Sequence, residues 1–206
     1  MREGGLRGKK TVIVGVIRAL SVLDAERAEE NGADMLELRI DLLKDEERDV
    51  EKVNEFISAL KMSVIVTNRR REEGGSFTGS EEERIALLSR IIETAEVDFV
   101  DIELFSPQAE RIKLVETAKG LHIPIISSFH DCSGMPHRAE LLETIARMYE
   151  EGGSIAKIAV TPQTLSDALL LLNLTYELSR EGKLLAMIGM GPIGRHLRVV
   201  APLYGS

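Results

Sequence analysis

The chain has 206 residues, enough to bury one substantial core, and this length favours a single domain over residues 1–206. Hydrophobic residues make up 44% and charged residues 29%, a balance that excludes disordered and fibrous proteins. The formal net charge is -8 and the basic residues lie scattered among acidic ones, so the sequence predicts no nucleic-acid partner.

The cysteine content and the apolar runs indicate where the protein acts. The single Cys132 cannot form an intrachain disulfide, and the opening MREGGLRGKK lacks the apolar core of a secretory leader. No apolar run reaches the roughly 18 residues that a membrane-spanning helix needs. We therefore expect a cytoplasmic protein without a membrane segment.

Short apolar runs rich in β-branched residues alternate with helix-spaced segments along the chain. Ser80 and Thr164 are suited to begin two of the helices, and Gly182 to end one. The alternation predicts parallel strands with right-handed crossovers, in either a closed barrel or an open doubly wound sheet. The seven predicted strands span residues 11–17, 35–41, 63–69, 99–104, 124–130, 154–160 and 184–190, and PLYGS at 202–206 is a candidate eighth.

Charged residues on one face of the strands favour the barrel. In MLELRID the alternation of a strand puts Glu37, Arg39 and Asp41 on one face, and the same parity pairs Asp101 with Glu103. Helices cover both faces of an open parallel sheet, so repeated charge on one face is difficult to accommodate there. We predict a (βα)8 TIM barrel whose polar residues gather at the carboxyl ends of the strands, where such barrels build active sites.

Lys157 is the sharpest candidate for chemistry, because it lies in a predicted interior strand between apolar neighbours. A lysine is seldom buried without a partner or a purpose, and a desolvated amine suits imine formation. The alternative is a structural lysine paired with an interior carboxylate. His130 ends a strand and is suited to proton transfer, with Glu103 available to orient its ring, although a lone histidine there is more often structural.

Two arginines on the polar face are candidate ligands for an acidic substrate. Arg39 and Arg69 could each hold a carboxylate in a bidentate pair. The alternative is an interior ion-pair lattice with Glu37, Asp41 and Glu103, and the two interpretations are compatible.

Three other interpretations are disfavoured. His130, Asp131, Cys132 and His137 lack the paired spacing of zinc ligands, so no metal site is expected. Cys132 has no feature of a nucleophile, since a lone cysteine is usually a small buried apolar residue. Residues 189–194 satisfy GxGxxG, but only twelve residues follow them, too few for the crossover and ribose-binding acid of a dinucleotide site.

Taken together, these motifs resemble the type I 3-dehydroquinate dehydratases over nearly the whole chain. The matching segments are Glu37-Leu38-Arg39-Ile40-Asp41, Thr67-Asn68-Arg69 with Glu73-Gly74-Gly75, Asp101-Ile102-Glu103-Leu104, Ser127-Ser128-Phe129-His130-Asp131, Ala156-Lys157-Ile158-Ala159 and Met190-Gly191-Pro192-Ile193-Gly194. The histidine and lysine segments are the most specific. Leu197 replaces the family's serine before Arg198, and the family's lid loop and eighth helix have no counterpart after Ser206, so we expect a barrel lacking the eighth helix.

The resemblance implies a lyase of the shikimate pathway, and hence of aromatic amino acid biosynthesis, that converts 3-dehydroquinate to 3-dehydroshikimate without a metal or cofactor. Lys157 would form the Schiff base, His130 would transfer protons and Glu103 would orient His130. A homodimer is expected. The alternatives left open are another class I Schiff-base aldolase or lyase, and a non-catalytic or lid-less barrel that binds a small carboxylic acid. The residues implied in substrate binding are Glu37, Arg39, Arg69, Arg198 and Ser206.

Overall fold

The computed structural model of the protein describes residues 11–206, along which seven strands alternate with helices. The predicted strands are confirmed, with differences of a few residues at their ends. The strands are β1 (Val14–Ile17), β2 (Met35–Arg39), β3 (Ser63–Thr67), β4 (Phe99–Glu103), β5 (Ile125–Asp131), β6 (Ile155–Val160) and β7 (Leu185–Gly189). The six longer helices are α1 (Val22–Glu30), α2 (Val50–Ala59), α3 (Glu81–Thr94), α4 (Gln108–Gly120), α5 (Arg138–Glu150) and α6 (Leu165–Arg180).

The opening segment, where the sequence predicts no leader, lies outside the described residues. Between residues 11 and 206, none of the helices combines the length and the apolar character required to cross a bilayer.

Local sequence explains where the helices begin and end. The Ser80 hydroxyl accepts the Glu83 N–H, and the Glu83 carboxylate accepts the Ser80 N–H, which forms a capping box at the start of α3. Thr164 and Asp167 form the same pair of bonds at the start of α6. Gly182 follows α6 with a φ of 79°, the left-handed conformation that commonly ends a helix. The predicted caps are confirmed.

The chain divides into two compact units, and the first comprises the described residues up to Ile102 together with Ser106–Pro124. Within it β1 pairs with β2, β2 with β3 and β3 with β4, all in parallel. The register aligns Arg39 with Thr67 and Thr67 with Asp101, so polar residues share a row at the carboxyl ends of three strands. The single catalytic domain over residues 1–206 stays a prediction.

The second unit comprises Glu103–Phe105 and Ile125–Ser206. Here β5 pairs with β6 and β6 with β7, again in parallel. Ala156, Ile158 and Val160 alternate along β6 and are fully buried in one apolar core. They share this core with residues of α5 and α6, namely Leu141, Ile145, Met148, Ala168, Leu171, Leu174 and Leu178.

The prediction of an eighth strand at residues 202–206 is wrong. Pro202 and its neighbours form the 3-10 helix Ala201–Tyr204, which follows two short helices, α7 (Gly191–Gly194) and α8 (Leu197–Val200). Proline has no N–H to donate to a strand ladder, and its fixed φ suits the first turn of a helix. Within residues 11–206 no strand follows β7.

Candidate active site

The three predicted catalytic residues lie on neighbouring strand segments of the second unit. The β5–β6 register pairs Ser128 with Lys157. The Leu104 N–H donates to the Ser128 carbonyl at 2.9 Å, a bond that sets Glu103 beside Ser128. Because side chains alternate along a strand, Glu103, Ser128 and Lys157 share one face with His130, two residues beyond Ser128. The structure therefore brings Lys157, His130 and Glu103 together.

Burial differs sharply among these residues. Glu103 is 1% exposed, whereas His130 and Lys157 are half-buried. Each of the three has at least one interaction partner. Ala156 and Ile158, the neighbours of Lys157, are fully buried on the opposite face of β6. Lys157 is therefore less buried than the sequence predicted. A half-buried amine can still be reached by a substrate.

The loop that follows His130 is anchored to the end of β6. The Asp131 carboxylate accepts the Ser133 N–H, the Ser133 hydroxyl and the Gly134 N–H at 2.9, 2.7 and 2.9 Å. Burial favours the neutral acid, but these hydrogen bonds outweigh it and lower the pKa of Asp131 below its ordinary value. Thr161, directly after β6, donates its N–H to the Gly134 carbonyl and its hydroxyl to the Asp131 carbonyl, at 2.7 and 3.1 Å.

Close packing explains the glycines of the GxGxxG run after β7. A Cβ on Gly189 would lie 2.5 Å from the Gly194 carbonyl oxygen, and a Cβ on Gly194 would lie 2.7 Å from the Gly189 carbonyl carbon. Gly191 has a φ of 67°, which favours glycine. Leu197, where the family has serine, packs in the apolar core, and Arg198 beside it is exposed.

Ser206, the last predicted substrate ligand, contacts strand β7. Its hydroxyl oxygen accepts the Met187 N–H at 2.9 Å. Cys132 is exposed on the loop after β5, so the expectation of a buried apolar cysteine is wrong. Among residues 11–206, no three His, Cys, Asp or Glu side chains are grouped so as to hold a metal ion.

In the first unit, Asp41 organises the polar residues at the strand ends. Its fully buried carboxylate accepts hydrogen bonds from Nε and Nη2 of Arg39 at 2.8 and 2.7 Å. It also accepts the backbone N–H groups of Arg69 and Ser76, both at 3.1 Å. One carboxylate thereby joins the end of β2, the end of β3 and the loop beyond β3.

The two predicted carboxylate-binding arginines are both paired with aspartates. Burial lowers the pKa of the Arg39 guanidinium, but the hydrogen bonds and charge of Asp41 outweigh this and raise the pKa above its ordinary value. Arg69 donates to Asp101 at 2.9 Å and its side chain is only 3% exposed, against 19% for Arg39. An interior ion-pair lattice is therefore present, with Asp41 as predicted and with Asp101, which the prediction did not include, and Arg39 is the more accessible of the two arginines. Glu37 joins it by accepting the Thr67 hydroxyl at 2.8 Å.

The sequence alone assigned no individual role to Glu73 or Arg84, which are also buried in this unit. Glu73 ends the 3-10 helix Arg71–Glu73 beyond β3, and Arg84 lies on α3; both are buried. Arg84 shares the i, i+4, i+7 spacing of Leu88 and Ile91, the buried face of α3. A charged residue at a core position of an amphipathic helix is the signal that could have identified Arg84 from the sequence.

Asp41→Asn is expected to destabilise the fold, because the amide presents N–H groups to donors that now meet a carboxylate. We expect a loss of about 3 kcal/mol in the free energy of unfolding, measured by urea denaturation. The matched control is Asp45→Asn, whose carboxylate is 82% exposed in its pair with Arg48; it should change stability by less than about 1 kcal/mol. Equal effects of the two substitutions would contradict the organising role of Asp41.

The chain is similar to known dehydratases in sequence. A sequence model of the type I 3-dehydroquinase family matches residues 13–206. The 3-dehydroquinate dehydratase of Methanosarcina acetivorans is 40% identical over 201 residues, covering 96% of this chain and 83% of that protein. The enzyme of that name from Methanothermobacter thermautotrophicus is 43% identical over 182 residues, covering 88% of this chain and 76% of that protein.

Solved structures agree with the sequence relatives. The 3-dehydroquinate dehydratase of Enterococcus faecalis superposes with a TM-score of 0.84 at 28% identity, covering 95% of this chain and 85% of that one. The type I enzyme of Clostridium difficile, solved with covalently modified comenic acid, gives 0.85 at 26% identity, covering 97% and 83%. These neighbours confirm the predicted TIM-barrel-type α/β fold, whose eighth unit is not found among the described residues. The chain belongs to the type I 3-dehydroquinase family.

Proposed function

We propose that this chain dehydrates 3-dehydroquinate to 3-dehydroshikimate through a Schiff base on Lys157. It is then a carbon–oxygen hydro-lyase of the shikimate pathway, which supplies aromatic amino acid biosynthesis. The curated relatives bear the name 3-dehydroquinate dehydratase. The observation that carries the proposal in this chain is the strand register that pairs Lys157 with Ser128, two residues before His130.

The proposed reaction begins and ends with the free amine of Lys157. The amine adds to the C3 ketone, and loss of water gives an imine that withdraws electrons from C2. His130 removes a C2 proton, and the resulting enamine expels the C1 hydroxyl, which leaves as water with a proton from His130. Hydrolysis of the product imine releases 3-dehydroshikimate and restores Lys157. The steps balance without an oxidant or reductant.

His130 and Glu103 are suited to the proton transfers. An imidazole changes charge near neutral pH, so His130 can both accept and donate a proton during one turnover. The carboxylate of Glu103 is buried beside Ser128, on the face that His130 shares. We propose that Glu103 holds the ring of His130 in the orientation that proton transfer requires, which makes Glu103 a positioning residue.

The substrate ligands are proposed residue by residue. Arg39 is partly accessible and stays protonated beside Asp41, as recognition of a carboxylate or hydroxyl group requires. Arg198 is exposed directly after the buried Leu197, which is compatible with contact to an acidic group. The family motifs further support Glu37, Arg69 and Ser206 as substrate ligands.

We further propose a cytoplasmic homodimer. Leu165 and Leu169, one helical turn apart on α6, are 71% and 59% exposed and offer apolar surface for a second subunit. Sedimentation velocity that shows only a monomer at micromolar concentration would contradict the dimer. Recovery of the activity only in the particulate fraction of lysed cells would contradict the cytoplasmic location.

Lys157→Ala is expected to abolish covalent trapping of the substrate. The chain is incubated with 3-dehydroquinate and borohydride, which reduces an imine to a stable amine, and intact mass is then measured. We expect a substrate-sized adduct on the native chain and none on Lys157→Ala. Lys113→Ala, which removes an exposed lysine of α4, should form the adduct as the native chain does. A folded native chain without an adduct would overturn the Schiff-base proposal and favour a barrel that only binds a small acid.

His130→Gln is expected to separate imine formation from turnover. Glutamine retains hydrogen-bonding capacity but cannot exchange a proton near neutral pH, so kcat should fall about a hundredfold or more. Long incubation with borohydride should still trap the adduct on Lys157. His137→Gln, at an exposed histidine before α5, provides the matched control. A kcat within twofold of the native value would exclude His130 as the acid–base group.

A further inference from the structure

Arg84 of α3 is only 2% exposed, and its guanidinium donates hydrogen bonds to three different partners. Nε and Nη2 each donate to one carboxylate oxygen of Glu81 at 2.7 Å. Nη2 also donates to the Ser106 hydroxyl at 3.0 Å, and Nη1 donates to the Asn68 carbonyl. Asn68 in turn donates its side-chain amide to the Arg84 carbonyl at 2.9 Å. An apolar side chain would fill a core position of α3 without the cost of desolvating a charge.

The peptide group between Asn68 and Arg69 is held at both ends by opposite charges. Its carbonyl oxygen accepts from the guanidinium of Arg84. Its N–H donates to the carboxylate of Asp41 at 3.1 Å. A cation at the oxygen and an anion at the N–H both match the peptide dipole, and charge-assisted bonds are stronger than neutral ones. The orientation of this peptide, and with it the Cα–Cβ direction of Arg69, is therefore strongly restrained.

The loop beyond β3 restrains the other side of Arg69. A Cβ on Gly75 would lie 2.0 Å from the Arg69 carbonyl oxygen, so the two backbones are in close contact. The Gly75 N–H donates to the Arg70 carbonyl at 2.9 Å, and the Ser76 N–H donates to Asp41 at 3.1 Å. Gly75 packs against the carbonyl group of Arg69. The direction in which the Arg69 side chain leaves the backbone therefore depends on the Asn68–Arg69 peptide.

We infer that Arg84 is a positioning residue that orients Arg69 for substrate through the Asn68–Arg69 peptide. The inference deepens the proposed function and rests on it, because Arg69 is there a substrate ligand. Arg84 acts from α3 through the Asn68 carbonyl. Since a misplacement of about 1 Å can cost about a hundredfold in rate, a modest shift of this peptide is enough to weaken substrate binding.

The test compares Arg84→Met with Arg90→Met, which removes an exposed arginine from the same helix. Steady-state kinetics with 3-dehydroquinate and hydrogen exchange at the Arg69 backbone amide are measured on variants shown to be folded by circular dichroism. In Arg84→Met we expect KM to rise about tenfold and the Arg69 amide to exchange about tenfold faster. Arg90→Met should match the native chain. Arg84→Lys, which keeps the charge but not the planar fork, should give intermediate values.

A second variant covers the case in which Arg84→Met does not fold. Glu81→Gln leaves Arg84 in place but weakens the pair that orients its guanidinium, and it should raise KM and the Arg69 exchange rate in the same direction by a smaller factor. Unchanged KM and unchanged exchange in the folded variants would overturn the inference. A fall in kcat that is fully explained by a smaller folded fraction of the variant would also overturn the inference. A native chain that forms no adduct with 3-dehydroquinate overturns the proposed function instead, and the Arg69 exchange rates then still decide whether Arg84 holds this peptide.

Discussion

Parallel pairing between β5 and β6 sets Lys157 opposite Ser128, and the two-residue repeat of a strand carries His130 onto the same face. A slip of one residue would turn Lys157 towards the helices, because it would exchange the two faces of β6. The apolar core prevents that slip. Ala156, Ile158 and Val160 are fully buried on the opposite face of β6, and none of them could be replaced there by a lysine without burying its charge. Packing in the second unit thus determines where the proposed nucleophile lies.

The first unit solves a different problem, which is how to keep several charges buried at the ends of parallel strands. Asp41 accepts hydrogen bonds from the Arg39 side chain and from two backbone N–H groups, and Arg69 pairs with Asp101. The charges compensate one another and also restrain one another. Groups that are restrained before substrate arrives need little reorganisation when it binds, which is how preorganised sites stabilise charge.

Most of the fold could be predicted from local patterns. The β-branched runs identified seven strands, and the capping residues Ser80 and Thr164 marked two helix starts. The alternation of charged residues put Glu37, Arg39 and Asp41 on one face of the second predicted strand, and Asp101 with Glu103 on one face of the fourth. PLYGS was misassigned because strand propensity took no account of the missing N–H of Pro202 or of the helical segment that runs into it.

Other features depend on contacts that no local pattern reports. Lys157 is only half-buried. Its exposure depends on the face of β6 on which it lies, and its apolar neighbours in sequence lie on the other face. Cys132 is exposed because Asp131 turns the chain through its bonds to Ser133 and Gly134. Arg84 was missed from the sequence, although its helical spacing with Leu88 and Ile91 is a signal of a core position. Its bond to the Asn68 carbonyl joins residues 16 positions apart and appears only in the folded chain.

Passage of the ketone through an imine is tested most directly by the origin of the product's carbonyl oxygen. 3-Dehydroquinate is converted in water enriched in oxygen-18, and the 3-dehydroshikimate formed at short times is examined by mass spectrometry. Unlabelled 3-dehydroquinate and 3-dehydroshikimate are each incubated without protein and with Lys157→Ala, which measures the spontaneous exchange of their ketone oxygens. Imine formation releases the original oxygen as water and hydrolysis adds one from solvent, so the product should carry label well above both controls. Product formed by the native chain with no label beyond the controls would show that the ketone oxygen is never lost and would contradict the Schiff-base mechanism.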